Sequence, residues 1–176
     1  MSKIIGISGI VILVILFAFY FFSNKQPAPE SSLPKDRASM EATENTSTPI
    51  TDIKASFAIF TNGTFRIFTA SMYHNLSQDS YIEASNPNIV QVKKSGTTWN
   101  DFFSTLPFKL TSECLTTGTK ETFCNGNRGT LKFYINDEQS NNALTQEIKD
   151  GDKLLVTFGT ESNQQVEQQL QIVPTP

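Results

Sequence analysis

The sequence predicts an α+β domain, in which a mixed β-sheet packs on one main helix, preceded by a single transmembrane helix. Three observations predict this: an uncharged apolar run near the N-terminus, several short segments of alternating apolar residues, and one aromatic helical stripe among them. We divide the chain into a cytoplasmic stub (1–3), a transmembrane signal anchor (4–22), a disordered linker (23–51), the folded domain (52–160) and a short C-terminal helix with its tail (161–176).

The composition limits the classes of function. The chain has 176 residues, and the part after the anchor and linker has the size of one ordinary domain. The whole chain has 14 Phe and 1 Trp, and the ten Phe and the Trp that lie after the linker are sufficient for a core without a metal or many disulfides. A net charge of −3 without a basic cluster argues against nucleic acid as the main partner. A single histidine restricts metal and general-base chemistry, and we expect no cofactor.

The apolar run from Ile4 to Phe22 has no charged residue. At ~1.5 Å per residue its roughly 19 residues extend ~28 Å, close to the ~30 Å hydrocarbon core of a bilayer. A cleaved signal peptide is the competing interpretation, but no A-x-A-like site and no lipoprotein cysteine follow the run. We therefore expect a membrane contact through this segment.

The location of the domain depends on weaker signals. Lys3 and the α-amino group favour a cytoplasmic N-terminus, whereas the basic residues after the run oppose it. Cysteines and three candidate glycosylation sequons favour an outside domain. We expect a single-pass protein of the cytoplasmic membrane with its N-terminus inside and its C-terminal domain extracytoplasmic. The sequons begin at Asn45, Asn62 and Asn75.

The linker is rich in proline and polar residues and is predicted to be a tether. The folded pattern then opens with SFAIFT, Asn62-Gly63 and TFRIFT, which predict a β-hairpin with a type I′ turn. That turn places two cross-strand pairs on one face and two on the other. The pairs on one face are Phe60 with Phe65 and Ala58 with Ile67; those on the other are Phe57 with Phe68 and Ile59 with Arg66.

The next segments predict two strands and the main helix. Residues 80–83 indicate a short strand, Asn86-Pro87-Asn88 indicates a turn, and residues 89–93 alternate as a second strand. Thr98 and Asp101 then resemble a capping box, and Pro107 ends the helix. The apolar stripe of this helix consists of Trp99, Phe102, Phe103 and Leu106, which we assign to the core.

After the helix, we predict a loop that contains the two cysteines, followed by two strands joined by a polar connection. The first strand covers residues 130–136, and the second, residues 153–158, follows the tight turn Asp150-Gly151-Asp152. In the tail, the apolar residues are spaced by four and three, which predicts a short amphipathic helix. These residues are Val166, Leu170 and Val173.

Six segments follow one another along the chain: SFAIFTNGTF, IVQVKKSGTTWNDFF, LPFKLTSECL, a second cysteine at Cys124, LKFYIN and DGDKLLVTFG. The final segment is similar to the end of β-grasp (ubiquitin-like) domains. Together the segments resemble a group of membrane-anchored extracytoplasmic proteins of archaea and candidate bacterial phyla that are often labelled protein-disulfide isomerase. The resemblance covers about residues 50 to 170 and implies a β-grasp type domain.

Several members of that group carry His-x-His pairs on their strands, which implies a metal site there. Residues two apart on a strand point to the same face, so such pairs could converge on one ion. At the matching positions Gln91 and Lys93 form a degenerate ligand face, because lysine removes a ligand and adds a repelling charge. We therefore expect that this chain has lost any such metal site, and the weak candidate ligands that remain are Asp52, Glu83 and His74.

Cys114 and Cys124 lie ten residues apart, and we interpret them first as a structural disulfide. Free thiols and a redox-active pair are the alternatives, although the Cys-x-x-Cys spacing of redox sites is absent. His74 is interpreted as a solvated loop residue, with a ligand or catalytic base as the alternative. No nucleophile elbow or phosphate loop is present.

The sequence therefore favours a membrane-tethered extracytoplasmic binding or assembly domain that is not an enzyme. Its expected partner is an envelope or surface protein. Two alternatives remain: a metal-handling envelope protein for copper or zinc with a degenerate histidine site, and a thiol–disulfide oxidoreductase using Cys114 and Cys124.

Overall fold

A computed structural model describes residues 50–176. The expected anchor, almost all of the linker and the sequon at Asn45 lie outside these residues. Within the described part, no helix combines the length and apolar character needed to cross a membrane.

The described chain is a mixed α+β structure, as predicted, with two β-sheets and two α-helices. Two 3-10 turns cover Ser71–Tyr73 and Ala143–Thr145. The helices are α1 (Trp99–Thr105) and α2 (Asn163–Leu170). The strands are β1 (Ile50–Thr61), β2 (Thr64–Phe65), β3 (Ser80–Glu83), β4 (Asn86–Lys94), β5 (Lys109–Leu110), β6 (Cys114–Thr116), β7 (Thr122–Cys124), β8 (Thr130–Ile135), β9 (Glu138–Gln139) and β10 (Lys153–Gly159).

The larger sheet has seven strands in the order β3-β4-β1-β10-β8-β9, with β2 paired to the end of β1. The long strand β1 runs parallel to β10, whereas all other pairs in this sheet are antiparallel. The first and last strands therefore lie side by side at the centre of the sheet.

Helix α1 covers one face of this sheet, and its aromatic stripe is core, as predicted. Trp99 and Phe102 are fully buried, and the Phe57 ring of β1 lies 5.5 Å from the rings of Phe102 and Phe103. The capping box is present: the Asp101 amide donates to Thr98 Oγ1 and the Thr98 amide donates to Asp101 Oδ2. Local sequence chemistry thus determines where this helix begins.

The opposite face of the sheet has a second, smaller core under α2. Val166 of the helix and Val173 after it pack with apolar residues of the central strands, which confirms the predicted C-terminal helix. Ser162 and Gln165 form its capping box. The sheet residues of this core are Ala58, Phe60 and Leu155.

The predicted hairpin at Asn62-Gly63 forms, but it is shorter than expected. Phe60 pairs with Phe65, as predicted. The pairing of Ala58 with Ile67 was wrong, because β2 ends at Phe65 and Ile67 is 67% exposed. Strand β4 occupies the same edge of β1, and the Asn88 side chain donates to the Phe57 carbonyl at 2.9 Å. This edge is therefore unavailable to the residues after Arg66.

The turn predicted at Asn86-Pro87-Asn88 was also wrong, because these residues begin β4. The actual turn is Ala84-Ser85, between the paired residues Glu83 and Asn86. Paired residues of β4 and β1 begin at Ile89, so the missing N–H of Pro87 does not interrupt that ladder.

The predicted loop around the cysteines is a second sheet of three antiparallel strands, β5-β6-β7. Its inward residues Leu115 and Phe123 face each other across β6 and β7, and both are buried against the main core. Alternation over strands of two or three residues was too short to be detected in the sequence.

Candidate functional site

The predicted ligand face lies on the sheet surface that α1 does not cover. Gln91 of β4 pairs with Lys54 of β1 on one side and with Tyr81 of β3 on the other. Lys93 Nζ lies 2.5 Å from Asp52 Oδ1. The structure therefore brings Asp52 and Lys93 together as an ion pair on this surface.

The charges around Lys93 oppose cation binding at this face. The hydrogen bond from Lys93 and its positive charge lower the pKa of Asp52. The bond to Asp52 raises the pKa of Lys93, and the nearby Tyr81 and Glu83 raise it further. Glu83 thus shares this face. The ammonium group of Lys93 is already bonded to Asp52 and lies near Glu83, so its positive charge would repel a cation there. Among residues 50–176, no group of three or more His, Cys, Asp or Glu side chains is arranged to hold a metal ion.

His74, the remaining candidate ligand, is positioned by a different contact. Its Nε2 lies 2.8 Å from the Phe68 carbonyl oxygen, and the residue is half-buried after the first 3-10 turn. Because Nε2 is in hydrogen-bond contact with the Phe68 carbonyl, the imidazole ring is held against its own loop. His74 therefore has a local structural contact.

The two described sequons lie on the surface. Asn62 and Asn75 are exposed and have φ angles of 49° and 53°. Such left-handed conformations are tolerated by asparagine in tight turns. Because both residues are exposed, their side chains are accessible to a modifying enzyme.

The two cysteines form a disulfide, as expected. Cys114 and Cys124 are direct cross-strand partners in β6 and β7, with an S–S distance of 2.05 Å. Cys124 is exposed and Cys114 is half-buried. The bond holds together the base of a hairpin, which we call the disulfide hairpin (114–124).

A concave apolar site lies between the disulfide hairpin and the segment that follows β1. Its cavity volume is about 240 Å³. We call this site the aromatic cleft. It is lined by Ile59, Thr64, Phe65, Arg66, Ile67, Phe68, Tyr73, Phe108, Leu115, Thr117, Gly118 and Thr119.

Aromatic rings join the base of the cleft to the core. The Phe68 ring is buried and lies 5.2 Å from the Tyr73 ring and 5.8 Å from the Phe108 ring. Phe68 also lies 5.1 Å from Phe57 of β1. Since these contacts anchor the base of the cleft in packed side chains, we expect it to keep its shape without a ligand.

Apolar side chains remain exposed at the cleft. Ile67, which lines it, is 67% exposed, and the neighbouring Met72 is 51% exposed. A Cβ added at Gly118 would lie 3.5 Å from Tyr73 Oη and 3.9 Å from Met72 Cε, so residues 72–73 approach the tip of the hairpin. Sequence reasoning missed this site, although Met72 in a polar segment was a visible signal.

Arg66 is the one permanently charged residue among those that line the cleft. Its Nε donates to Thr61 Oγ1 at 2.6 Å, and its Nη2 lies 3.4 Å from Glu121 Oε2. Its guanidinium lies 5.1 Å from the centroid of the Phe123 ring. Within residues 50–176 the other terminal nitrogen, Nη1, has no hydrogen-bond partner.

The chemistry of the cleft suits binding. Its lining contains hydroxyl groups, a phenol and a guanidinium, but no carboxylate, imidazole or thiol that would act as a general base or nucleophile near neutral pH. Apolar walls with a few polar groups are typical of a ligand pocket. No family model, curated protein or solved structure matches the chain.

Proposed function

We propose that residues 50–176 are a non-enzymatic binding module and that the aromatic cleft is its binding surface. In this proposal residues 4–22 anchor the chain in the cytoplasmic membrane, and the linker holds the module outside it. One observation carries the proposal: a cavity of about 240 Å³ with aromatic walls opens beside exposed apolar side chains.

The size and rim of the cleft indicate what kind of group it would take. Pockets for drug-sized ligands have volumes of roughly 300–1,000 Å³, so this smaller cavity suits a smaller group such as one apolar side chain. Ile67 and Met72 extend the apolar surface beyond the cavity itself. Exposed apolar groups at the edge of a pocket are typical of an interaction site.

The strand order supports a β-grasp interpretation of the larger sheet. The first and last strands are parallel neighbours, their outer partners are antiparallel, and α1 follows the second long strand along the chain. On this interpretation, the segment between β2 and β3 and the three-stranded sheet are two insertions. The two insertions would then supply most of the residues that line the cleft, and this part of its lining would be free to differ from one such domain to another.

Two features support an extracytoplasmic location. A disulfide persists in an oxidising compartment, and Cys114 and Cys124 are bonded. Asn62 and Asn75 are exposed, as glycosylated asparagines must be. The same location follows from the resemblance to the membrane-anchored proteins labelled protein-disulfide isomerase, which remains part of the proposal.

Thiol–disulfide exchange is the second candidate function. The observation that favours it is the exposure of Cys124, which would let an attacking thiolate reach the bond. Its test is the recovery of activity by a scrambled disulfide substrate with the full chain in a glutathione buffer, because the chain has no free thiol and reduced glutathione supplies the thiolate that starts exchange. Recovery that is lost with Cys114→Ser and Cys124→Ser supports exchange, and equal recovery with both proteins rules it out.

The binding proposal is tested with blocked amino acids and the full chain in lipid discs. Ligand-observed NMR measures binding of N-acetyl-phenylalaninamide, N-acetyl-leucinamide and N-acetyl-alaninamide. We expect saturable binding of the first two and much weaker binding of the third, because only larger side chains fill the cavity.

A matched pair of variants locates the binding. Ile67→Ser removes an exposed apolar group from the cleft, and Ile172→Ser removes one of similar exposure elsewhere. We expect only Ile67→Ser to weaken binding. Absence of saturable binding, or an equal loss in both variants, would refute the proposal.

A further inference from the structure

We propose that the group bound by the aromatic cleft is the C-terminal residue of a partner polypeptide, with an apolar side chain in the cavity and its α-carboxylate on Arg66. This inference rests on the proposed binding function and specifies the partner. It combines two adjoining features of the cleft: its apolar walls and the guanidinium among them.

The guanidinium has donors to spare for an anion. Arg66 directs Nε to the buried Thr61 hydroxyl, but its bond to Glu121 is long, at 3.4 Å. The Arg66 side chain is 32% exposed and that of Glu121 is 56% exposed, so this ion pair is solvated and weak. Nη1 has no partner in the described chain. A carboxylate could therefore form paired hydrogen bonds with the terminal nitrogens, which is the geometry that arginine favours.

The position of Arg66 is fixed before any ligand binds. Its guanidinium lies over the Phe123 ring, and the same group is held by the hydrogen bond that Nε donates to Thr61. A donor held in place loses less conformational entropy on binding than a free side chain. Charge complementarity thus favours an anionic group beside Arg66.

The exposed rim favours a polypeptide over a small free acid. A cavity of about 240 Å³ accommodates one side chain, whereas Ile67 and Met72 extend beyond it. Residues that precede a bound C-terminus would cover this rim. A small carboxylic acid would fill the cavity and leave the rim exposed.

The test uses two tripeptides and the full chain in lipid discs. N-acetyl-Gly-Gly-Phe with a free carboxylate is compared with the same peptide amidated at its C-terminus, by isothermal titration calorimetry. We expect the free acid to bind about five- to tenfold tighter, as one partly desolvated charge pair allows. The difference in affinity between the free acid and the amide should become smaller as salt is added.

Variants assign this difference to Arg66. With Arg66→Gln the two peptides should bind equally, whereas Arg66→Lys should keep part of the advantage because it keeps the charge. Glu121→Gln removes the competing carboxylate and should strengthen binding of the free acid about two- to fivefold. If Arg66→Gln does not fold, Arg66→Lys and Glu121→Gln still decide the question.

The outcomes separate this inference from the function on which it rests. Equal binding of acid and amide overturns the inference and leaves the binding function standing. No binding of either peptide counts against both. If 3-phenylpropionate binds as tightly as the acidic tripeptide, the partner is a small acid, and the polypeptide terminus is ruled out.

Discussion

The guanidinium of Arg66 lies 5.1 Å from the centroid of the Phe123 ring, and this contact joins the two sides of the aromatic cleft. Arg66 directly follows β2, whereas Phe123 belongs to the disulfide hairpin. The Phe123 ring in turn lies 5.4 Å from that of Phe158 on β10. The hairpin is therefore packed on the sheet as well as closed by its disulfide.

Arg66→Gln should lower the free energy of unfolding by about 1 kcal/mol, because it removes a cation–π contact and a hydrogen bond to the buried Thr61 hydroxyl. Urea denaturation measures the change. Arg128→Gln, at an exposed arginine, is the matched control and should have little effect. Equal effects of the two substitutions would contradict the structural role of Arg66.

Replacement of both cysteines by alanine should destabilise the protein by about 2–3 kcal/mol, from the loop that the disulfide closes. The same variant should bind cleft ligands more weakly, because Leu115 and Thr117 line the cleft from the disulfide hairpin. Thermal unfolding with and without reductant measures the first effect. The reductant should lower the melting temperature of the wild type but not that of the variant. If the melting temperature of the wild type does not change on full reduction, the prediction is contradicted.

Acid should weaken the cap of α1. The hydrogen bonds from the Thr98 amide and hydroxyl lower the pKa of Asp101 below its ordinary value of 3.8. Since the folded-state pKa is the lower one, this stabilisation is complete above pH 3.8 and is lost as the pH falls through the folded value. Asp101→Asn should therefore flatten the stability profile below about pH 4 and cost about 1 kcal/mol at neutral pH. If Asp101→Asn loses stability below about pH 4 as steeply as the wild type, the role assigned to the Asp101 carboxylate in the cap is contradicted.

The ion pair of Asp52 and Lys93 should affect titration much more than stability. Asp52 is held below its ordinary pKa chiefly by the hydrogen bond from Lys93. In Lys93→Met the pKa of Asp52 should rise toward 3.8, and carboxyl NMR shifts would record it. The melting temperature should stay unchanged within error, because the pair is solvated. A Lys93→Met variant with an unaltered Asp52 titration would show that the pair does not form in solution.

The C-terminal helix should contribute to stability through the second core. Val166 is buried against residues of β1 and β10, so Val166→Ala should cost about 1–2 kcal/mol. Gln164→Ala changes an exposed residue of the same helix and should cost little. Urea denaturation compares the two, and equal stabilities would mean that α2 does not pack on the sheet in solution.

The sequence predicted those features that depend on neighbouring residues. Thr98 and Asp101 are three residues apart, and Asn62-Gly63 determines its own turn, so local chemistry was sufficient for both. The pairing of Ala58 with Ile67 failed because β4, distant in sequence, occupies that edge of β1. Short strands such as β5 carry too little alternation to be recognised.

The candidate sites also divide into those that the sequence predicted and those that depend on distant segments meeting in the fold. The disulfide was predicted from the presence of two cysteines in an expected extracytoplasmic domain. The cleft could not be, because its lining comes from two stretches that are distant in sequence, 59–73 and 108–119. The contact of Arg66 with Glu121 beside it likewise joins residues 55 apart. Only the fold brings Tyr73, Phe108 and Leu115 to one cavity.

The central claim is that the aromatic cleft binds an apolar side chain, and a methyl NMR titration tests it most directly. The full chain in lipid discs, with labelled isoleucine methyl groups, is titrated with N-acetyl-phenylalaninamide. Ile67 and Ile172 are 67% and 51% exposed, but only Ile67 lines the cleft. We predict a saturable shift of the Ile67 methyl signal with little change at Ile172. An unmoved Ile67 signal, or an equal response at Ile172, would contradict the claim.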